Sequence, residues 1–453
     1  MSETGLSAAW KPDSWQSSTV GQIPRYGNAA HSEAVMAALA KLPPLVTSWE
    51  IEALRAHIAL AQAGKAFVLQ GGDCAETFED CTSAVIVNKL KILLQMSVAI
   101  ISGIKLPVVR IGRIAGQYAK PRSADTEVRD GVSLPSFRGD IINRNAFTAD
   151  DREPDPELML RAYERAALTL NFIRGLIDGG FADLHHPENW DLDWVSHSPL
   201  ADEYQHMVQT AADGLDFFES ITGKSIDQAR RVDFYTAHEG LHLPYEQAQT
   251  RFLAHRQKWY DLTTHFPWIG ARTSQPGSAH IEFFRGISNP VGIKIGTDMS
   301  PDWLCSLLRS LNPDNEPGRL TLIHRLGALR IKELLPPLIE TVRQAGALVL
   351  WVCDPMHGNT ESTSNGYKTR RFDNIRSELD QSFDVHAALG SRLGGVHLEL
   401  TGENVTECLG GARELTEVDL ERAYTSTVDP RMNYEQSLEI AMLIVRKRSA
   451  ISG

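Results

Sequence analysis

Short runs rich in Val, Ile, Leu and Phe recur along this chain, and each ends in Gly, Pro or polar residues. Eight stand out: 66–72 (AFVLQGG), 107–113 (PVVRIGR), 232–238 (VDFYTAH), 266–272 (FPWIGAR), 291–296 (VGIKIG), 320–326 (LTLIHRL), 348–354 (LVLWVCD) and 394–400 (GGVHLEL). Near-continuous apolar runs, rather than clean alternation, suit parallel strands buried on both faces. Helical periodicity fills most of the gaps. In "SPDWLCSLLRSL", Ser300 is placed as N-cap and Pro301 as first helical residue, with Leu304, Leu307, Leu308 and Leu311 on one face. "IKELLPPLIETVRQAG" repeats the idea and ends at Gly346. A last helix, about 433–447, carries cations at its C-terminal end, as the helix dipole favours. Eight buried strands alternating with helices predict an α/β fold of the (β/α)8 TIM-barrel type.

Two regions break the repeat. Residues 1–64 precede the first strand and hold helical patterns near 32–41 and 47–63, which suits an extension packed on the barrel or in an interface. The gap between the second and third strands is far longer than an ordinary crossover. Helical patterns at about 156–179 and 200–222 mark it as a helical insertion of about 150–228, interrupting a catalytic barrel of 65–453.

Composition narrows the function class. The net charge is −12 over 453 residues, which argues against nucleic acid as a bulk electrostatic partner but leaves room for a local basic pocket. No apolar run approaches the roughly 18 residues of a membrane span, and the longest, around 97–101, lies inside a helical pattern. No membrane partner is expected. The opening "MSETGLSAAWKPDSW" lacks the basic and then apolar pattern of a secretory leader. Five cysteines, an odd number in a long chain, suit a reducing cytoplasm better than a disulfide framework.

A barrel of this type carries its chemistry at the C-terminal ends of its strands. Those ends are unusually polar here: Asp73 and Cys74, Arg113, His238 and Glu239, Arg272, Lys294, Arg325, Asp354 with His357, and Glu399. Any one of them alone could be a surface ion pair; so many at one mouth call for another reason. Arg113, Arg272, Lys294 and Arg325 would repel one another unless an anion sat between them, so they point to a small, multiply anionic ligand. "GQYAKPRS" adds Lys120, Arg122 and Ser123 on the loop after the second strand, a candidate second phosphate site. Cys74, His357, Glu399 and Asp429 offer a thiolate, an imidazole and two carboxylates, donors that suit a divalent first-row metal such as Mn, Co, Fe or Zn. Their spacing carries no signal, and a small buried thiol is the competing reading of Cys74. His397 shares the barrel-facing side of its strand with Glu399; it is a competing ligand, read instead as packed or orienting, and His238, His185 and His186 have the same plain reading.

Eight ordered segments then carry a resemblance: LQGGDCAETF (69–78), RIAGQYAKPRSAD (113–125), WIGARTSQ (268–275), NPVGIKIG (289–296), GRLTLIHRLG (318–327), CDPMHGNT (353–360), KTRRFDNI (368–375) and HLELTGENVTECLGG (397–411). Together, from about residue 65 to the C-terminus, the chain resembles the long form of the type II 3-deoxy-D-arabino-heptulosonate 7-phosphate (DAHP) synthases. The resemblance implies condensation of phosphoenolpyruvate with D-erythrose 4-phosphate and release of phosphate, the first step of the shikimate pathway towards chorismate and the aromatic amino acids. It implies a divalent metal, Mn2+ or Co2+, held by Cys74, His357, Glu399 and Asp429 of "VDPRMN". It assigns phosphoenolpyruvate to Arg113, Arg272, Lys294 and Arg325, and erythrose 4-phosphate to Lys120, Pro121, Arg122 and Ser123. Lys294, His357 and Glu239 are the candidate proton-transfer groups. Sequences of the family often read WIGERT where this chain has Ala271, so this position can serve through its backbone N–H but not through a carboxylate. Asp73 and Glu76 match no family ligand and are read as hydrogen-bonding neighbours, and Cys81 as a packed thiol.

The resemblance further implies aromatic amino acids as effectors, a homodimer or homotetramer, and a chorismate-pathway enzyme as partner. Phe172, Phe181, Trp190 and Trp194 suit either an effector pocket or a helix–helix interface. The rival readings are another metal-dependent synthase that joins phosphoenolpyruvate to a different sugar phosphate, and an inactive effector-binding barrel.

Overall fold

In the computed structural model, residues 10–183, 186, 201–222 and 232–452 are described. Each of the eight apolar runs forms one strand: β1 Phe67–Gly72, β2 Val108–Arg113, β3 Phe234–Glu239, β4 Phe266–Ile269, β5 Val291–Ile295, β6 Leu320–His324, β7 Leu350–Cys353 and β8 Leu393–Glu399. They close into a barrel in the order β1-β8-β7-β6-β5-β4-β3-β2, all parallel. Predicted strand ends move by up to three residues. Pro107, for example, falls outside β2 and lends only its carbonyl, to the Phe67 N–H at 2.9 Å.

The strand period of two sorts side chains to opposite faces. Val291, Ile293 and Ile295 pack outward with the surrounding helices, which turns Lys294 inward. Val396 and Leu398 do the same on β8, leaving His397 and Glu399 to the interior. The interior itself is filled by Val68, Val109, Ile111, Tyr235, Ala237, Phe266, Trp268, Ile323, Leu350 and Val352. Leu54, Ile58 and Ala61 of α2 (Ser48–Gln62), the helix that follows α1 (Ala29–Leu39), join that cluster. The second helix of the N-terminal extension is therefore the floor of the barrel, and it packs against β1, β2, β7 and β8. Thr47 and Glu50 cap its start reciprocally.

The helix α3 (Ser83–Ile104) corrects one expectation: by length and composition it is apolar enough to cross a membrane. Lys89, Lys91 and Gln95 break its apolar run in the sequence without shortening the helix. Its most apolar stretch is 67% buried, between the barrel and the C-terminal helix Tyr434–Ser452, as a core helix requires. The insertion supplies the helices Glu157–Asp178 and Ala201–Thr222, both against α3. Phe172 and Phe181 are partly buried beside Ile86, Leu90 and Ile177. His185, Trp190 and Trp194 lie outside the described residues.

Candidate active site

The register of β1 organises the mouth of the barrel. Gly72 pairs with Glu399 on one side and Arg113 on the other, so the chain leaving β1 rises between those two side chains. A Cβ at Gly72 would sit 2.6 Å from the Arg113 carbonyl oxygen, at a backbone φ of +145°. Only glycine allows strands this close with that turn. The next two residues are Asp73 and Cys74.

The donor atoms of Cys74, His357, Glu399 and Asp429 all lie within 4.8 Å of one another. His357 Nδ1 is 2.7 Å from Asp354 Oδ2, and its Nε2 is 2.9 Å from Glu399 Oε1. Glu399 also meets Arg113 Nη2 at 3.0 Å and Arg370 Nη2 at 2.7 Å. Cys74 Sγ is 3.5 Å from Asp429 Oδ2, and Lys120 Nζ is 2.6 Å from both atoms. The sequence assigned Lys120 to a phosphate loop, but its ammonium lies against the donor cluster. Burial, then the Glu399 charge, push the Cys74 thiol up, while Lys120 and Arg113 draw it down. Burial opposes ionisation of Asp429, but Lys120, Arg370 and His357 together override it and hold that carboxyl well below the usual range. Burial likewise opposes ionisation of Glu399, and His357, Arg370 and Arg113 together override it. One soft sulfur, one imidazole and two ionised carboxylates in a tight, mostly buried group fit a divalent first-row cation. Asp354 fixes His357 through Nδ1 and so turns Nε2 towards the other donors, the usual way an outer carboxylate orients a ligating histidine.

Arg113, Arg272, Lys294 and Arg325 line one cleft, together with Pro121, Glu239 and Ala271. The Arg113 guanidinium lies over the Trp268 ring at 5.3 Å, and its Nη1 is 2.6 Å from His397 Nε2. Burial, and then the charges of Lys294 and Arg113, keep His397 neutral, so it can accept that bond. His397 thus packs beside Arg113 and orients its guanidinium. Lys294 is ion-paired with Asp354. Burial, helped by the Arg113 charge and opposed by Asp354, lowers Lys294 to about 8. Burial also raises the Glu239 carboxyl, against the pull of Lys294 and Lys120. Gly270 makes space for that carboxyl, since a Cβ there would collide with Glu239 Oε1. Arg325 donates to the His357 carbonyl oxygen at 2.8 Å. Arg272 is exposed at the rim and donates to Ser123 Oγ at 3.1 Å, joining the cation set to the 120–123 loop. Ala271 opens the short turn Ala271–Thr273.

Around the cleft stands a buried polar scaffold that the sequence only hinted at. Asp73 is ion-paired with Lys89 and, at 2.7 Å, with Arg431. The second contact ties the chain beside Cys74 to the chain beside Asp429. Glu76 accepts the backbone N–H groups of Ala115, Gly116 and Gln117 at 3.1, 3.0 and 3.0 Å. Glu378 accepts those of Leu326 and Gly327 and the Asn359 amide, linking the loops that carry Arg325 and His357. Sequence reasoning missed Arg370, Lys368 and the orienting role of Asp354. Arg370 and Lys368 stand in the KTRRF segment, and Asp354 stands three residues before His357, so the segments were visible where the roles were not. His238 turns away from the cleft to Glu246, at 2.9 Å. Cys81 packs near Thr169 at 3.4 Å.

Comparison with known proteins gives the following. A family model described as the class-II DAHP synthetase family matches residues 10–445. A Neurospora crassa protein named phospho-2-dehydro-3-deoxyheptonate aldolase is 48% identical over 451 residues, covering 96% of this chain and 93% of the relative. A Streptomyces coelicolor protein of the same name is 44% identical over 432 residues, covering 95% and 96%. A Mycolicibacterium smegmatis relative named phospho-2-dehydro-3-deoxyheptonate aldolase AroG is also 44% identical, over 418 residues, covering 91% and 89%.

Proposed function

Because the chain belongs to the class-II DAHP synthetase family, we propose that the cleft at the mouth of its barrel binds both substrates of DAHP synthesis beside a divalent metal. The protein is a transferase, a 3-deoxy-7-phosphoheptulonate synthase. It condenses phosphoenolpyruvate with erythrose 4-phosphate and water, gives DAHP and phosphate, and opens the shikimate pathway. The observation that carries the site assignment is the meeting of two chemically distinct sets, four metal-type donors and four cations, in one cleft.

Cys74, His357, Glu399 and Asp429 hold the metal, with Mn2+ or Co2+ as the preferred ions. When bound, the cation supplies Lewis-acid polarisation of the aldehyde. Arg113, Lys294, Arg272 and Arg325 bind the phosphate and carboxylate of phosphoenolpyruvate. Pro121, Arg122 and Ser123, with Lys120 at the inner end of the loop, hold erythrose 4-phosphate and aim its aldehyde carbon at C3 of phosphoenolpyruvate. The C–C bond forms there, and the aldehyde oxygen takes a proton. Water then adds at C2, which carries positive character, and loses one proton, which replaces the proton given to the aldehyde oxygen; the C2–O bond to phosphate breaks as the C2 hydroxyl becomes a carbonyl, and its proton leaves with phosphate. Lys294, lowered to about 8, and Glu239, raised by burial, are the candidates to trade protons with the reacting atoms, with His357 as the third. Orientation and fixed charge supply most of the acceleration.

Phosphate release that requires both substrates, disappears with a chelator and returns with Mn2+ or Co2+ is the expected result. Release with a different sugar phosphate but not erythrose 4-phosphate would favour the rival synthase; none with any aldehyde, metal present, would favour the inactive barrel. The same family membership supports a cytoplasmic enzyme working as a homodimer or homotetramer, with a chorismate-pathway enzyme as partner and aromatic amino acids as feedback effectors. Phe, Tyr and Trp, added singly and in pairs, are expected to lower the rate. Full activity under every combination would remove the effector reading.

A further inference from the structure

The segment before the first helix runs along the barrel rim and is tethered repeatedly. Trp15 Nε1 donates to Gln247 Oε1 at 2.8 Å, the Thr19 carbonyl accepts the Ala279 N–H at 3.0 Å, and Tyr26 Oη meets His242 Nε2 at 2.7 Å. Between the last two anchors sits Gln22, with a backbone φ of +64°. Side chains other than glycine rarely adopt that conformation, and it persists where the surroundings over-determine it.

The Gln22 amide explains what holds it there. Its Oε1 accepts the Arg122 N–H at 2.8 Å and Arg138 Nη1 at 3.3 Å, and its Nε2 donates to the Arg122 carbonyl at 3.0 Å. Both backbone polar groups of Arg122 are thus satisfied by one side chain, as a neighbouring strand would satisfy them. This pairing also settles which end of the amide faces which way. The Arg122 guanidinium is held separately by Glu127 at 2.8 Å. Gln22 lines the outer cleft next to Ser123, Arg272 and Arg325.

We propose that Gln22 is a positioning residue for the sugar phosphate: it clamps the backbone of the 120–123 loop so that the loop meets the phosphate of erythrose 4-phosphate pre-organised. The inference rests on the reading of that loop as the erythrose 4-phosphate site. The clamp acts before binding, on Arg122 at the outer end of the loop; Arg122 and Ser123 line the outer clefts and not the inner one that holds Arg113 of β2 and Lys294 of β5. Its loss therefore raises the KM of one substrate and not the other.

The test uses the full-length, metal-loaded enzyme with both substrates varied. Gln22→Ala is expected to raise the KM for erythrose 4-phosphate about tenfold, with kcat and the KM for phosphoenolpyruvate within about twofold of the parent. Arg122→Ala serves as the control, because it removes the loop's guanidinium and keeps the backbone that Gln22 holds. An erythrose 4-phosphate KM raised in Arg122→Ala but unchanged in Gln22→Ala overturns the clamp and leaves the loop assignment standing. A KM unchanged in both overturns the loop assignment and the clamp with it. A parallel rise for both substrates in Gln22→Ala would mark a general structural role and also overturns the proposal.

Discussion

Cys74→Ala is expected to lose bound divalent metal and turnover together. The thiol is the soft member of a four-donor group within 4.8 Å, and its removal leaves one imidazole and two carboxylates. Those three are already engaged: Glu399 by Arg113, Arg370 and His357, and Asp429 by Lys120 and Lys368. Lys120 now shares its ammonium between Cys74 and Asp429 at 2.6 Å each. With the sulfur gone it has Asp429 alone, and a cation on that carboxylate competes with a metal for it. Lewis-acid stabilisation of several kcal/mol corresponds to a rate loss of about 10³-fold or more. Metal content measured by elemental analysis after gel filtration, alongside phosphate release, checks both halves. Parent-level activity with unchanged metal content would sink the metal assignment.

Lys294→Met should separate anion binding from metal binding. The Lys294 ammonium is almost fully buried and pairs with Asp354. Methionine keeps much of the length and removes the charge. Truncating one partner of a buried, hydrogen-bonded charge pair costs about 2–5 kcal/mol, so kcat/KM for phosphoenolpyruvate is expected to fall about 10²–10³-fold. Asp354 keeps His357 Nδ1 at 2.7 Å and the backbone N–H groups of Met356 and His357 at 3.0 and 3.2 Å. His357 therefore stays oriented, and metal content is expected to remain near that of the parent. Steady-state kinetics with phosphoenolpyruvate varied, paired with elemental analysis, reads the difference. A kcat/KM within threefold of the parent would remove Lys294 from the anion site, and loss of metal with it would show the two sets to be inseparable.

The barrel was legible because its signal is local. A strand buried on both faces is mostly apolar, and β1 to β8 each carry that signal within four to seven consecutive residues. Strand-end chemistry was legible for the same reason: a parallel barrel points its C-terminal ends one way, and the period of two turns Arg113, Lys294 and Glu399 inward whatever lies elsewhere in the chain. Boundaries drifted where a residue such as Pro107 is apolar yet cannot donate to a ladder. The membrane-length character of α3 escaped because charged residues interrupt its run without interrupting its helix.

Convergence was not legible. Cys74 and Asp429 lie 355 positions apart and meet only because closure of the barrel sets Gly72 between Arg113 and Glu399. No local pattern records that register. Nor could residue type tell that Lys120 reaches into the donor group, that Asp354 and Arg370 orient His357 and Glu399, or that Gln22 crosses the rim to hold Arg122. The sequence by itself determined the barrel, the end that carries chemistry and the kinds of groups available there, because each follows from burial and periodicity within a few residues. The tertiary structure alone decided which of those groups touch, because that depends on barrel closure, strand register and the reach of side chains between segments far apart in the chain.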